Sequence, residues 1–353
     1  MRFVESKVID WARVQAALLA SERQNQWTNF GPVSRELERS IAQILDVPPD
    51  RAVVAASSAT SALFALVGVS AARAGRPLRW LASAFGFAST RIGPLASVRL
   101  VDCDNDGLLD LDSAAHVPLD DWDGLLVTNV FGRCADFATF VEFCRERAKV
   151  LVIDNAQGLL GSDRSLPDAP EEFISFHHTK PWGFGEGGCA IVRREDEALL
   201  RRLLNFGYGA PQSLSAFAAN GKMSDIAAAT ILARLESWPA LAPEYFRQGQ
   251  RVTAIATDVG FRVFAQPTSD AVIGFVPLLA PRPTGIAPIQ ASALPLAKYY
   301  PPLADLPCAR RLFEHIVCVV SHPGIGTIDE FLIRDELRKL IPQDSPKLPE
   351  TYA

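Results

Sequence analysis

The 353-residue sequence predicts an α/β fold: a mostly parallel central sheet flanked by helices in three layers, followed by a smaller C-terminal α/β domain. Three observations predict it. Short, continuous apolar runs rich in β-branched residues alternate with helical patterns through the first half of the chain. Such runs suit strands covered on both faces, and strand–helix–strand in series implies parallel pairing. After Phe173 the pattern changes to a hairpin and then to long helices. From Pro239 to Pro301 it becomes proline-rich and mixes short strands with loops.

The opening MRFVESKVIDWARVQ mixes charge with apolar residues and lacks a signal-peptide pattern. SRELERSIAQIL places Leu37, Ile41, Ile44 and Leu45 on one helix face, with Pro48 and Pro49 as the stop. AVVAA near Ala52 is the first strand, and SALFALVGVSAARAG is the core helix after it. LRWLAS, VRLVDCD and GLLVTNV read as the next strands, and DFATFVEFCRERA as a helix with Asp136 at its N-cap. VLVID is another strand, and FISFHH with CAIVR forms a hairpin around a glycine-rich turn. Helices run through ALLRRLLNF and AAATILARLES. We place a large domain over residues 1–240 and a smaller one over 241–353, ending in the polar, loosely ordered tail QDSPKLPETYA.

Composition narrows the function classes. A formal net charge of -5 argues against nucleic-acid and anionic membrane surfaces, which need clustered Lys and Arg. No run reaches the roughly 18 to 20 apolar residues that span a bilayer. Six cysteines without a CxxC pair or metal-ligand spacing read as reduced, mostly buried thiols of a cytoplasmic protein.

In open α/β sheets, ligands bind beyond the carboxyl ends of the strands, and three features fall there. In AASSATSAL a strand ends near Ala56, and small hydroxyl residues lead straight into a helix. Its unpaired N–H groups suit a phosphate, or Ser58 or Thr60 simply caps the helix. In VLVIDNAQG, Asp154 closes a buried strand and Gln157 follows one turn later. A partly desolvated carboxylate there wants a cation, or it caps a helix or pairs with an arginine. In FISFHHTKPWGFGEGGCAIV, Lys180 stands almost alone as a charge between an apolar run and four glycines. A lysine in such a pocket has a lowered pKa and can form a Schiff base. His177 and His178 near Glu186 suggest no metal site, since neighbours on a strand point to opposite faces. A phosphate cradle, an acid for a ring nitrogen and an imine-forming lysine are together what pyridoxal 5'-phosphate requires.

These residues resemble the DegT/StrS family of sugar-nucleotide aminotransferases, of pyridoxal-phosphate fold type I. The likeness runs from WTNFGPVSRELE to SHPGIGTIDE and is strongest in SFHHTKPWGFGEGG and IDNAQG. ASSATSAL, FGFAST and AANGKMSDIAAATILARLE follow in the expected order. The resemblance implies that Lys180 is the Schiff-base lysine, Asp154 the partner of the pyridine nitrogen, and Gln157 the residue near the ring hydroxyl. It implies that Ser175, Ala59 and Thr60 bind the phosphate and that Phe87 stacks on the ring. It implies that Asn220 reaches the phosphate of a neighbouring subunit, so that a homodimer shares its active sites. Thr28 and Asn29 match a region near the entrance and are candidate substrate contacts. Ala59 stands where the family often has Gly, and Gly86 where it often has Thr.

The implied activity is transfer of an amino group from L-glutamate to a nucleotide-linked keto-6-deoxy sugar. The 4-keto position, a dTDP linkage and surface polysaccharide or O-antigen synthesis are the expected details. Two alternatives stay open. One is a pyridoxal-phosphate sugar dehydratase, although those lyases carry histidine where this chain has Lys180. The other is a non-catalytic cofactor-binding regulator, which would not need the proton chemistry of the lysine.

Overall fold

The computed structural model describes residues 1–133, 136–159, 164, 169–269 and 271–341. Cys134 and the polar tail from residue 343 lie outside them. Helices α1 (Trp11–Gln24) and α2 (Pro32–Ile44) precede β1 (Arg51–Ala56), α3 (Ala59–Ala74), β2 (Trp80–Ser83) and β3 (Arg99–Val101). Then come α4 (Leu111–Ala115), β4 (Gly124–Thr128), α5 (Ala138–Glu146), β5 (Val150–Asp154), β6 (Glu171–Ser175) and β7 (Gly188–Arg193). After α6 (Glu197–Leu204), α7 (Asp225–Val259) leads to β8 (Arg262–Val263), β9 (Phe275–Leu279), α8 (Ile286–Ala291) and β10 (Leu296–Ala297). The last elements are α9 (Pro307–His315), β11 (Ile316–Val320) and α10 (Glu330–Lys339).

Seven strands form the main sheet in the order β1-β7-β6-β5-β4-β2-β3. The pairs from β3 to β6 are parallel, while β7 runs antiparallel to both β6 and β1. That reversal is the expected hairpin. It sets Ala56, Gly188 and Ser175 on one row across β1, β7 and β6. A four-stranded antiparallel sheet, β10-β11-β9-β8, follows near the C-terminus.

Alternate residues of the strands feed the two faces, as a period of two requires. Val53, Ala55, Ile174 and Ile191 pack under α1, α2 and the first half of α7. Val54, Phe173 and Val192 pack under α3 and α6. Leu37 and Ile41 of α2 are fully buried, and each such burial contributes about 1.5–3 kcal/mol. Because Gly31 caps α2 without a side chain, Asp225 does so from the start of α7. Its carboxylate accepts from the N–H groups of Val33 at 3.1 Å and Ser34 at 3.0 Å.

Three local expectations differ from the structure. β6 ends at Ser175, so His177 and His178 sit in the turn and not on the strand. Phe137 is the N-cap of α5, although the Asp136 carboxylate accepts from the Ala138 N–H at 2.7 Å. The proline-rich region does not open as loops: α7 runs 35 residues through Pro239 and Pro243. Both prolines are exposed and four apart, so their missing donors fall on the wet side of the helix. The first half of α7 packs on the main-sheet helices, and Val252, Ile255 and Ala256 pack on the small sheet.

Candidate active site

A cavity of about 340 Å³ opens at the carboxyl edge of the main sheet. Its walls follow from the topology: Thr128 ends β4, Asp154 ends β5, Ser175 ends β6, and Ser58–Thr60 follow β1.

One end of the cavity is built for an anion. Ser58 caps α3, its hydroxyl accepting from the Ser61 N–H at 3.1 Å. The helix supplies no acceptor for the N–H groups of Ala59 and Thr60, and its dipole places partial positive charge there. Ser175 brings a second hydroxyl from the facing strand, where its Oγ accepts from the His177 N–H at 3.2 Å. The helix start comes this close because residue 188 is glycine: a Cβ there would stand 2.4 Å from the Ala59 nitrogen.

At the end of β5, Asp154 is 2% exposed. Its carboxylate accepts from the Ala156 N–H at 3.0 Å and the Thr128 hydroxyl at 3.4 Å. Burial pushes its pKa up to about 6 against the pull of those hydrogen bonds and of Lys180. Loss of water is the larger effect, so this carboxylate is under-compensated and suits a cationic partner.

Lys180 rides on the turn between β6 and β7. The turn is tied by Lys180 N–H to His177 C=O at 2.8 Å, Gly183 N–H to Lys180 C=O at 2.9 Å, and His178 N–H to Gly185 C=O at 2.7 Å. Gly183 lets it fold back on the strand end, since a Cβ there would lie 2.4 Å from the carbonyls of Phe176 and His177. Burial lowers the amine to about 8, with Asp154 pulling it back up. About a tenth of the amine is therefore neutral and nucleophilic at pH 7, where an unshifted lysine would be almost wholly charged.

Phe87 and Gln157 line the same cavity. Phe87 keeps 58% of its surface exposed, an apolar face without cover in this chain. Seven of the expected residues thus meet in one place: Ala59, Thr60, Phe87, Asp154, Gln157, Ser175 and Lys180. Thr28, Asn29 and Asn220 do not line it within this chain. Thr28 and Asn29 are exposed in the loop between α1 and α2, and Asn29 has a left-handed φ of 57°. Asn220 is exposed and accepts from Lys222 Nζ at 2.7 Å.

Sequence reading missed Tyr299 and Tyr300, which close the cavity from the C-terminal region together with Phe275. Tyr300 is buried, pairs with the Gln157 side chain, and has its phenol pushed up by burial and by Asp154. Its φ of 58° is left-handed, a backbone conformation that bulky residues rarely adopt. The tandem tyrosines before Pro301 and Pro302 were the available signal.

His177 Nε2 meets Glu186 Oε1 at 3.2 Å as an exposed pair. Among the described residues no three His, Cys, Asp or Glu side chains gather as a metal site. No helix among them is long and apolar enough to cross a membrane. Cys103, Cys144, Cys189 and Cys318 are buried free thiols and Cys308 is half-buried.

The chain is similar to several known proteins. Protein Rv3402c of Mycobacterium tuberculosis is 29% identical over 231 residues, 60% of this chain and 54% of its own length. A dTDP-4-amino-4,6-dideoxy-D-glucose transaminase of Shigella dysenteriae is 26% identical over 223 residues, 61% of this chain and 59% of its own. The chain thus spans little more than half the length of the curated relatives it matches. Among solved structures, Helicobacter pylori PseC, an aminotransferase involved in the biosynthesis of pseudoaminic acid, superposes with a TM-score of 0.78 at 17% identity, over 96% of this chain and 98% of that one. DesI, determined in the presence of its TDP-sugar product, gives 0.77 at 22% identity, over 94% and 90%. At these identities the likeness shows the fold alone, and it is the fold type I expected from the sequence. A model of the DegT/DnrJ/EryC1/StrS aminotransferase family matches residues 9–251, well over half of the chain, and the chain belongs to that family.

Proposed function

We propose that this chain is a pyridoxal-phosphate-dependent aminotransferase that moves an amino group from L-glutamate to a nucleotide-linked keto-6-deoxy sugar. The observation that carries the reading is the meeting, in one cavity, of an open helix N-terminus, an under-compensated Asp154 and the depressed amine of Lys180. The residues fit the cofactor. Ala59, Thr60 and Ser175 would hold its phosphate, and Gly188 leaves the room for that cradle. Asp154 would face its ring nitrogen, and the uncovered Phe87 its ring face.

Bound there, pyridoxal phosphate supplies an aldehyde for an amine and a ring that draws electrons from the carbon next to that nitrogen. Asp154, ionised, would hold a proton on the ring nitrogen. Lys180 Nζ would hold the cofactor through its aldehyde in the resting enzyme, and its amine, once free, would take the proton from the donor Cα as a base and give it up as an acid. The amino group would pass from glutamate, which becomes an oxo acid, to the keto sugar. Lys180 at this position favours amine transfer over dehydration, which in the resembling lyases goes with histidine.

The 26% identity to the Shigella dysenteriae transaminase supports a dTDP-linked 4-keto acceptor. Surface polysaccharide or O-antigen synthesis in the cytoplasm completes the proposal. A homodimer is part of the reading. Asn220 lies outside the cavity, beside exposed Phe206 and Tyr208, a small aromatic face that a second copy would cover. The test mixes loaded enzyme with glutamate and then with a panel of nucleotide-linked 3-keto and 4-keto sugars, followed by absorbance and product mass. Glutamate should convert the cofactor to its amine form, and a 4-keto sugar should return it with one amino group gained by the sugar. Conversion with no acceptor in the panel would overturn the sugar assignment, and no conversion would overturn the transferase.

A further inference from the structure

The turn that carries Lys180 turns several of its carbonyls toward the opening segment of the chain. Lys7 Nζ donates to three of them: His178 C=O at 2.7 Å, Gly183 C=O at 2.6 Å and the C=O of Lys180 itself. A fourth, that of Pro181, accepts from Arg234 Nε of α7 at 2.8 Å. Buried carbonyls need donors, and only an ammonium offers three N–H groups from one atom.

The segment that presents Lys7 is itself fixed. Glu5 accepts from Arg234 at 3.0 Å and from the Tyr245 hydroxyl. The Arg2 carbonyl meets His322 Nε2 at 3.0 Å. The Phe3 ring packs 5.7 Å from Phe275 and 6.0 Å from Tyr299, both walls of the cavity. The clamp on the turn is thus braced by α7, by the small-sheet region and by the cavity wall. Lys7 also precedes residue 9, where the family match begins.

We propose that Lys7 is a positioning residue: it fixes the backbone of the 178–183 turn and so holds the Lys180 amine in the cavity. The titratable groups around it are Glu5, Arg234, Lys180 and His178, the last held below the ordinary histidine value first by burial. Burial first, then Arg234 and Lys180, bring its amine down to about 7, and Glu5 opposes them. Removing Lys7 therefore removes the hydrogen-bond partner of three carbonyls and, below about pH 7, a positive charge close to Lys180.

The inference rests on the reading of Lys180 as the cofactor lysine, but its first measurement does not. Amide hydrogen exchange is followed by mass spectrometry on the apo protein for Lys7→Met and Lys7→Arg. Both variants should exchange at least about tenfold faster across residues 178–187, because a planar guanidinium cannot serve three carbonyls converging on one nitrogen. Exchange in α3 and β5 should match the unaltered protein. The second measurement titrates the visible absorbance of the loaded enzyme against pH. Above about pH 7 Lys7 has largely lost its charge, so the midpoint should stay in place in Lys7→Met and fall in Lys7→Arg, which keeps a positive charge beside Lys180. Unchanged exchange over 178–187, or an equal rise in α3 and β5, would overturn the assignment. If Lys7→Met does not fold, unchanged exchange in Lys7→Arg would overturn it equally. Altered exchange in a protein with no cofactor absorbance would instead count against the role given to Lys180.

Discussion

Asp154 and Lys180 stand in one cavity with their pKa values pushed toward each other, the carboxyl up to about 6 and the amine down to about 8. Each shift has the same first cause, removal from water, and in each the partner's charge only partly compensates. In the apo chain both groups are ionised between those two values, and both are under-solvated. The site therefore holds free energy that a bound cation at Asp154 and a covalent partner at Lys180 would release.

That tension sets a pH dependence. The Asp154 carboxyl keeps a proton up to about pH 6 in the folded chain but only to about pH 4 when unfolded. The stability carried by that proton is complete below about pH 4 and is lost as pH rises through 6. Apo Asp154→Asn should therefore be more stable than the unaltered apo protein by roughly 2 kcal/mol at pH 7 and equal to it near pH 4. Urea unfolding at the two pH values measures this, and equal stabilities at both would mean that the carboxylate is well solvated.

Lys180 is the mirror case. Its amine, near 8 when folded, lies below the unfolded value of about 10.4. The stability of keeping it neutral is complete above about pH 10 and is lost as pH falls through 8. Lys180→Ala should then be tolerated by the apo fold yet lose turnover by at least about 10³-fold, the scale of acid–base catalysis. It should also lose the visible absorbance of the lysine-bound cofactor. Turnover close to that of the unaltered enzyme would remove Lys180 from the chemistry.

Gly188 tests the phosphate end on its own. A methyl group there would stand 2.4 Å from the Ala59 nitrogen and 2.6 Å from the Ser58 carbonyl carbon, both backbone. Backbone cannot rotate away as a side-chain tip can, so Gly188→Ala must push α3 off the strand. We expect cofactor loading to weaken at least about tenfold, the loss of roughly 1.4 kcal/mol from the helix-terminus contact. Equilibrium dialysis of pyridoxal phosphate reads it, and inorganic phosphate should lose as well. Unchanged loading would place the phosphate elsewhere.

The strands and most of the site were legible because their signals are local. Val53–Ala55 and Val150–Asp154 are short apolar runs that end where polar chemistry begins, and Lys180 is a lone charge between an apolar run and glycines. What the sequence hid was made of distant parts. Tyr299 and Tyr300 reach the cavity through the small-sheet region, and no period ties them to β5 or β6. Lys7 binds backbone carbonyls, which every residue carries, so nothing in the turn's own side chains announces it. Pro239 and Pro243 read as breakers because the rule that prolines end helices ignores which face they occupy.

Asn220 decides whether the site is shared. It lies outside the cavity lining of its own chain, yet the resemblance implies that it reaches a cofactor phosphate. A pair of inactive variants separates the two readings. In a mixed dimer of Lys180→Ala with Asn220→Ala, a shared site built from Lys180 of one chain and Asn220 of the other is intact once and doubly broken once. Random pairing makes half of the dimers mixed, so about a quarter of the unaltered activity per chain should return on mixing the two inactive proteins. If Asn220 served its own chain, every site would lack one residue or the other and nothing would return. Assay of the two variants refolded separately and together distinguishes these outcomes. A mixture no more active than its components would leave Asn220 without a role across subunits.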